Sequence, residues 1–399
     1  MSFLIYPTIK ESPFLSMLGM GGGGTGTAIG GGGPVDMSEA YNTNTYYVII
    51  PYYSSAAGGS GNRIALFNPT TGKYAADFET SISSGKIYRF ADSIVITSAT
   101  SSWYKHYNYN NNWTENSGTF YSGYIGDEVK ISSTRLFTVS WGSSGSGTAN
   151  IKVYSVGLNG LTNTNNYTQT NIGVRNSAYG MIDNPVLGAQ ANVNASTGIL
   201  SSLDRIHGKA PHDNSSSAYE RRFCISISNT STGQHSVSAQ QSNTGNYSRP
   251  IAGTGWDGYC YTSGMDGART YVTNGSSVGG WSSSWATVTP PTNGFHGVGT
   301  LGTSNRFLTV AKSGSTHYFA YVTKYPGGSS ISYQYSIPTT TGATVQQYPN
   351  GAAACDYDSA ESKIRCRILN GNSWTTMHAA TLYPPNNMLN YGYRKIITY

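Results

Sequence analysis

The apolar residues of this chain come in short runs, and they do not recur at helical spacing. Tyr46-Tyr47-Val48-Ile49-Ile50, Arg63-Ile64-Ala65-Leu66-Phe67, Ser93-Ile94-Val95-Ile96-Thr97 and Arg135-Leu136-Phe137-Thr138-Val139 set the pattern. They are rich in β-branched and aromatic residues and are bounded by Gly, Asn, Asp, Ser and Pro, which marks strands ending in tight turns. No window of a dozen residues has the i, i+3, i+4, i+7 apolar spacing of an amphipathic helix, so almost no helix is expected.

The runs pair naturally into hairpins. Ser133–Val139 meets Asn150–Val156 across the turn Gly142–Gly147, and Arg222–Ile227 meets His235–Val237. Gly258–Thr262 meets Arg269–Val272 through Asp266-Gly267, a dipeptide suited to tight hairpins. Arg306–Val310 meets His317–Val322, with Ile331–Ile337 as a third strand, and Ala353–Tyr357 meets Lys363–Ile368.

Three of these strands resemble one another: Arg135-Leu136-Phe137-Thr138-Val139, Arg222-Phe223-Cys224-Ile225-Ser226 and Arg306-Phe307-Leu308-Thr309-Val310. Their arginines are 87 and 84 residues apart, and each interval would hold two units of roughly 43 residues, a length suited to propeller blades. Unit centres fall near residues 48, 95, 137, 181, 224, 271, 308 and 355. The expected fold is all-β: repeated antiparallel sheets forming a seven- or eight-bladed β-propeller, with the stretch near 183–220 deciding the number. Lys395-Ile396-Ile397-Thr398-Tyr399 is expected to complete the first blade and remove its open edge. The rival architecture, a pair of β-sandwich domains, needs no such repeat.

Composition agrees with a folded β body. Aromatic residues make up 13% and charged residues only 11%, the reverse of a disordered chain. The net charge of +6 is scattered, with tight basic clusters only at Arg221-Arg222, Arg365 with Arg367, and Arg394-Lys395. A nucleic-acid surface would show a stripe or an arm of such residues, so no nucleic-acid partner is expected. No apolar stretch is long enough to span a membrane, and Pro7, Lys10, Glu11 and Pro13 interrupt any signal-peptide core.

Residues 1–40 stand apart from the β-repeat body at 41–399. Phe3, Leu4, Ile5, Phe14, Leu15, Met17 and Leu18 precede the glycine run that contains Gly21, Gly22 and Gly23. A plain flexible linker would need glycine but not the large apolar residues. The expectation is a docking arm whose apolar residues insert between other subunits.

Candidate chemistry is sparse. Asp127-Glu128, Asp356 with Asp358, and Asp257 with Asp266 are the nearest carboxylate pairs in sequence, and the last two read as turn residues. Asp356 and Asp358 could ligate calcium, but the spaced loop of an EF-hand is absent, and no metal or cofactor is assigned. The histidines are isolated, and no HExxH, GxSxG or phosphate-binding glycine loop occurs. The densest polar segment, Asp204–Asp213 with His207 and His212, reads as a surface loop. Cys355 and Cys366 flank a hairpin turn around Ala360-Glu361, a placement that suits a disulfide or two reduced thiols equally. The best binding signal is aromatic. Trp103, Tyr104, Tyr107, Tyr109 and Trp113 lie among Asn108, Asn110, Asn111 and Asn112, and rings with amides suit sugar recognition. The bland alternative is that these rings are blade core.

The arm also carries a resemblance. Tyr6-Pro7, Glu11-Ser12-Pro13 and Leu18-Gly19-Met20-Gly21-Gly22-Gly23 resemble the N-terminus of tail-fibre and other tail-associated proteins of tailed bacteriophages. Those begin with a short Pro-containing stretch and a Gly-(Phe/Met)-Gly-Gly-Gly motif. The resemblance implies a virion component, assembled in the host cytoplasm, that docks through its N-terminus on other virion proteins and forms homo-oligomers. The expectation from sequence is therefore a non-enzymatic tail or fibre protein that contacts host surface polysaccharide. The alternatives are a polysaccharide-degrading tailspike and a purely structural tail or head component.

Overall fold

The computed structural model describes residues 35–98, 102–120, 127–141, 148–170, 186–193, 200–212, 219–242, 251–252, 260–263, 270–273, 285–286, 295–301, 306–313, 316–325, 328–338, 343–348, 351–370, 373–379 and 381–391. The docking arm, with Phe3, Leu4, Ile5, Phe14, Leu15, Leu18, Gly21, Gly22 and Gly23, lies outside them. Among the described residues there are strands and two single 3-10 turns but no α-helix, and none is a helix long and apolar enough to cross a membrane.

Among the described residues the strands form seven consecutive sheets of four or five strands, each antiparallel except for one added strand described below. Sheet one holds Val48–Tyr53, Asn62–Asn68 and Lys73–Glu79; sheet two holds Ser84–Arg89, Ser93–Thr97, Trp103–Asn108 and Glu115–Thr119. Sheet three runs from Asp127 to Thr170, sheet four from Val186 to Ser242 and sheet five from Ile251 to Ala286. Sheet six runs from Phe295 to Pro338 and sheet seven from Ala343 to Ala379. First strands of successive sheets touch from sheet three round to sheet seven. Between the remaining sheets the apolar faces meet directly. Tyr88 and Val95 pack on Val129 and Phe137 between sheets two and three, Ile64 and Leu66 on Ile94 and Ile96 between sheets one and two, and Phe67 and Tyr74 on Ile364 and Ile368 between sheets seven and one. Sheets one and two therefore bury both faces against neighbours, and the succession of sheets forms a propeller.

One tight turn recurs with the same chemistry. In Asn68–Gly72 the Asn68 Oδ1 accepts from the Thr70 N–H at 2.9 Å, and the Gly72 N–H closes on Asn68 O at 2.9 Å with φ +73°. In Asn229–Gly233 the equivalent bonds run from Ser231 N–H to Asn229 Oδ1 and from Gly233 N–H to Asn229 O, with φ +71°. In Asp358–Ser362 the carboxylate plays the same part toward the Ala360 N–H, and Ser362 takes φ +51°. The side chain at the first position supplies the turn's acceptor, and the last position needs the left-handed backbone that glycine adopts without strain.

All five expected hairpins form in the expected pairings, but the repeat is counted differently. Arg135 and Arg306 do hold equivalent places, each opening the second strand of its sheet. Arg222 instead lies in the third strand of sheet four. The interval from Arg135 to Arg306 therefore spans three sheets rather than four units. It is stretched by the long strands Leu200–His212 and Tyr219–Asn229. The supposed loop Asp204–Asp213 is strand through His212. The centre near 181 lies outside the described residues.

Among the described residues, closure is made by the segment 386–391. Asn387–Met388 pairs antiparallel with Tyr52-Tyr53 of sheet one, and Asn390-Tyr391 then adds parallel to Ser84-Gly85 of sheet two. Residues 395–399 lie outside the described residues. The closing strand is short, and the rest of that edge is satisfied piecemeal. The Asn386 N–H donates to Tyr53 O at 2.8 Å and the Leu389 N–H to Pro51 O at 3.0 Å. Pro51 has no N–H to leave unpaired there. At Ile49 no closing strand arrives among the described residues, and a side chain from sheet seven takes its place. Gln346 Oε1 accepts from the Ile49 N–H at 2.8 Å, and its amide nitrogen donates to Ile49 O. Gln346 is buried.

Replacing Gln346 by Leu would strand two buried backbone groups, at about 1–3 kcal/mol each. The expected result is a drop in the denaturant midpoint at unchanged slope. A midpoint equal to wild type would show that Ile49 finds other partners.

Candidate functional site

The strand Trp103–Asn108 is the third of sheet two, and alternation along it divides the sequence's ring cluster between two cores. Tyr104 faces sheet three, where its ring packs on Phe120 at 5.0 Å and its hydroxyl donates to Leu161 O at 3.4 Å. Trp103 and Tyr107 face sheet one, and Trp113 packs on that side as well. Tyr107 is fully buried. The expected ring-rich loop is thus a strand and a turn, and four of its five rings also serve the core.

The turn after the strand is tightly specified. Asn108 Oδ1 accepts from the Asn110 N–H at 2.8 Å, capping a 3-10 turn over Tyr109–Asn111. The Tyr109 N–H donates to Asp92 O at 2.8 Å and the Trp113 N–H to Asn108 O at 2.8 Å. Asn112 and Trp113 both adopt the left-handed conformation, with φ +50° and +57°. Asn tolerates that region, but a bulky residue there is an outlier that costs about 1–3 kcal/mol.

That strained backbone sets the indole into a ladder of rings. Trp113 stacks on Phe78 at 5.0 Å with the planes 3° apart, and Tyr41 meets it edge-on at 5.2 Å. Tyr109 lies 5.0 Å from Tyr41 and 6.0 Å from Trp113. Tyr41 in turn stacks with Tyr47, and the buried Arg89 guanidinium lies over both of those rings. Arg89 is anchored by donating to the carbonyls of Thr45 and Asn42. The outer end of the ladder is open: Tyr109 is 39% exposed, and Asn110 and Asn112 beside it are exposed too. The result is an aromatic face held from behind and edged with amides, chemistry suited to a ring with hydroxyl groups.

Beside it, Glu115 is an anchoring carboxylate. It accepts from Lys105 Nζ at 2.7 Å, the Tyr107 hydroxyl at 2.6 Å, the Ser81 N–H at 2.9 Å and the Ser81 hydroxyl at 2.8 Å. Burial would raise its pKa, but these donors, Lys105 first, outweigh burial and bring it down to about 2. Three other clusters are enclosed. Lys86 sits between Asp127 and Glu128, at 2.9 and 2.6 Å, on the first strands of sheets two and three. Burial opposes its charge, yet the two carboxylates raise its pKa, so it stays protonated and offers no nucleophile. Arg63 pairs with Asp77 at 2.5 Å, and the Tyr52 hydroxyl donates to the same carboxylate at 2.6 Å. Asp356 is gripped by Arg365 and Arg367, and Asp358 by Arg365. The carboxylates considered for calcium are therefore taken by guanidinium groups, and no metal-ligating group of three occurs among the described residues. His106 Nε2 lies 3.2 Å from Ser93 Oγ, a nucleophile–base distance, but both side chains are fully buried.

Sequence reasoning missed Tyr41, Tyr47 and Phe78, which complete the ladder. They lie 35 or more residues before Trp113 in the chain, and no local spacing announces them. Lys86 is not signalled by the sequence either, although Asp127-Glu128 stand as a pair in it.

No protein family and no curated protein sequence matches the chain. Solved structures match it in shape. A functionally unknown protein from Desulfotomaculum acetoxidans is 11% identical with a TM-score of 0.50, covering 85% of this chain and 98% of that one. A periplasmic gluconolactonase from Pseudomonas aeruginosa is 11% identical with a TM-score of 0.50, covering 86% and 98%. A putative 6-phosphogluconolactonase from Bacteroides uniformis is 11% identical with a TM-score of 0.46, covering 86% and 98%. At such identities the likeness speaks for the fold alone. It still corrects one expectation. The sequence leads to the expectation of a non-enzymatic protein, whereas the Pseudomonas protein is an enzyme built on the same kind of body.

Glu115 carries a pH signature. Its pKa is lower folded than unfolded, so its stabilising effect is complete above 4.5 and fades as pH falls toward about 2. Urea midpoints followed down this range should fall more steeply for wild type than for Glu115→Gln. Parallel curves would rule out the anchoring role.

Proposed function

We propose that this protein is a glycan-binding β-propeller of a bacteriophage tail or fibre, and that sugar rings rest on the Tyr109–Trp113 face. The observation that carries the reading is Trp113, a bulky residue held in a strained left-handed backbone and stacked on Phe78, beside an exposed Tyr109. Core packing alone does not require strain of that kind, whereas binding sites commonly hold it. Asn110 and Asn112 supply exposed amides of the type that bridge paired sugar hydroxyls. The attachment role rests on the arm. Its glycine motif resembles phage tail-associated N-termini, and its large apolar residues suit insertion between subunits.

The sugar reading is tested by binding of the full chain to an array of bacterial surface polysaccharides. Trp113→Ala and Tyr109→Ala should each weaken binding by at least about tenfold, roughly 1.4 kcal/mol, in the range expected for losing one ring contact. Leu158→Ala, at an exposed position in a turn between two strands of sheet three, should change nothing. Equal binding by all three variants would sink the proposal. Release of reducing ends in the same incubation would make the face a substrate subsite rather than a receptor contact.

The arm has a separate test. Deleting residues 1–35 should leave a folded body that no longer enters particles, and normal incorporation would refute docking.

A further inference from the structure

Cys355 and Cys366 lie directly opposite each other on the second and third strands of sheet seven. Their sulfurs are 3.0 Å apart. Both are free thiols, and both are fully buried. Opposed residues of an antiparallel pair have Cα atoms about 4.5–5.5 Å apart, inside the roughly 4.4–6.8 Å that a disulfide spans. The strands already impose this register through the Asp358–Ser362 turn, so the backbone need not move to bring the sulfurs together.

Their surroundings decide when such a bond could form. Phe67 and Tyr74 from sheet one, Ile364 and Ile368 from sheet seven, and Met388 from the closing strand share their core. Burial, and then the contact with Cys355, holds the Cys366 thiol well above its ordinary pKa. A buried neutral thiol is a poor partner for exchange, which needs thiolate and access. Before sheets one and seven dock, neither restraint applies.

We propose that Cys355 and Cys366 are a modification site, closing into a cross-strand disulfide when the chain folds in the presence of a small disulfide oxidant, and that docking of sheets one and seven then locks in the state formed. In the exchange one cysteine thiolate attacks glutathione disulfide and releases one glutathione. The second thiolate attacks the mixed disulfide and releases another. The two cysteines give up two electrons and two protons, one S–S bond forms in the protein, and the oxidant leaves as two thiols.

Trypsin makes the product easy to read. Cleavage after Lys324, Lys363, Arg365 and Arg367 leaves Cys355 in the peptide 325–363 and Cys366 in the dipeptide Cys366-Arg367. The full chain is refolded in a glutathione redox buffer, then denatured with iodoacetamide, digested and weighed. The expected species is peptide 325–363 carrying the dipeptide, separating into two on reduction. Full alkylation of both cysteines, glutathione adducts in place of the link, or linkage to Cys224 or Cys260 would each overturn the proposal. A second arm folds the chain reduced and only then adds the same oxidant. The locked state should stay unlinked over the refolding time, and equally fast linkage would overturn the locking.

Discussion

Closure of this fold depends on how the edge of sheet one is satisfied. A propeller buries the faces of its sheets by packing each against the next and leaves only short, protected edges, but one junction must join parts of the chain made at opposite ends. Here that junction is sheet one, whose outer neighbour is a strand of only two residues. Three devices cover what the short strand cannot. Pro51 withdraws a donor, Leu389 and Asn386 supply single N–H groups, and Gln346 offers an amide that mimics a peptide unit. Gln346 comes from sheet seven, so satisfying the edge and welding the ring are the same interaction.

The other junctions are joined differently. Sheets one, two and three meet through large apolar faces, and between sheets two and three this contact surrounds the enclosed Lys86 pair of salt bridges. Such a cluster adds little net stability against an apolar filling, because desolvating three charges offsets their attraction. It does make the angular fit exacting, since displacing one strand would leave a buried charge alone. The aromatic ladder sits on the junction of sheets one and two. Any ligand resting on its outer end would therefore press on the interface itself rather than on a loose loop.

Strands and hairpins could be read from the chain because they are local. Arg306–Val310 and His317–Val322 need only a short apolar alternation and a glycine turn to be recognised, and both form as expected. The period could not be read, because it depends on strand and loop lengths that nothing local fixes. The near-copy at Arg222 resembled Arg135 in composition, yet it occupies the third strand of its sheet. The ring cluster at 103–113 was visible as chemistry. Its division between two cores follows from strand alternation, but its assembly with Tyr41 and Phe78 follows from which sheet packs beside it. The recurring Asn68, Asn229 and Asp358 turns were written in the sequence throughout, as a polar acceptor four residues before a left-handed position.

The two-residue clasp on sheet one also imposes an order in time. Tyr53 and Asn387 are 334 positions apart in the chain. At the pace of translation, about 5–20 residues per second, roughly tens of seconds separate the emergence of the two partners from a ribosome. For that interval the Val48–Tyr53 strand has finished hydrogen-bonding on one side and has nothing on the other. It is then an unpaired edge on the nascent chain. A neighbouring copy whose synthesis is already complete can offer the same missing segment, so crowded synthesis would favour exchange of the clasp between chains.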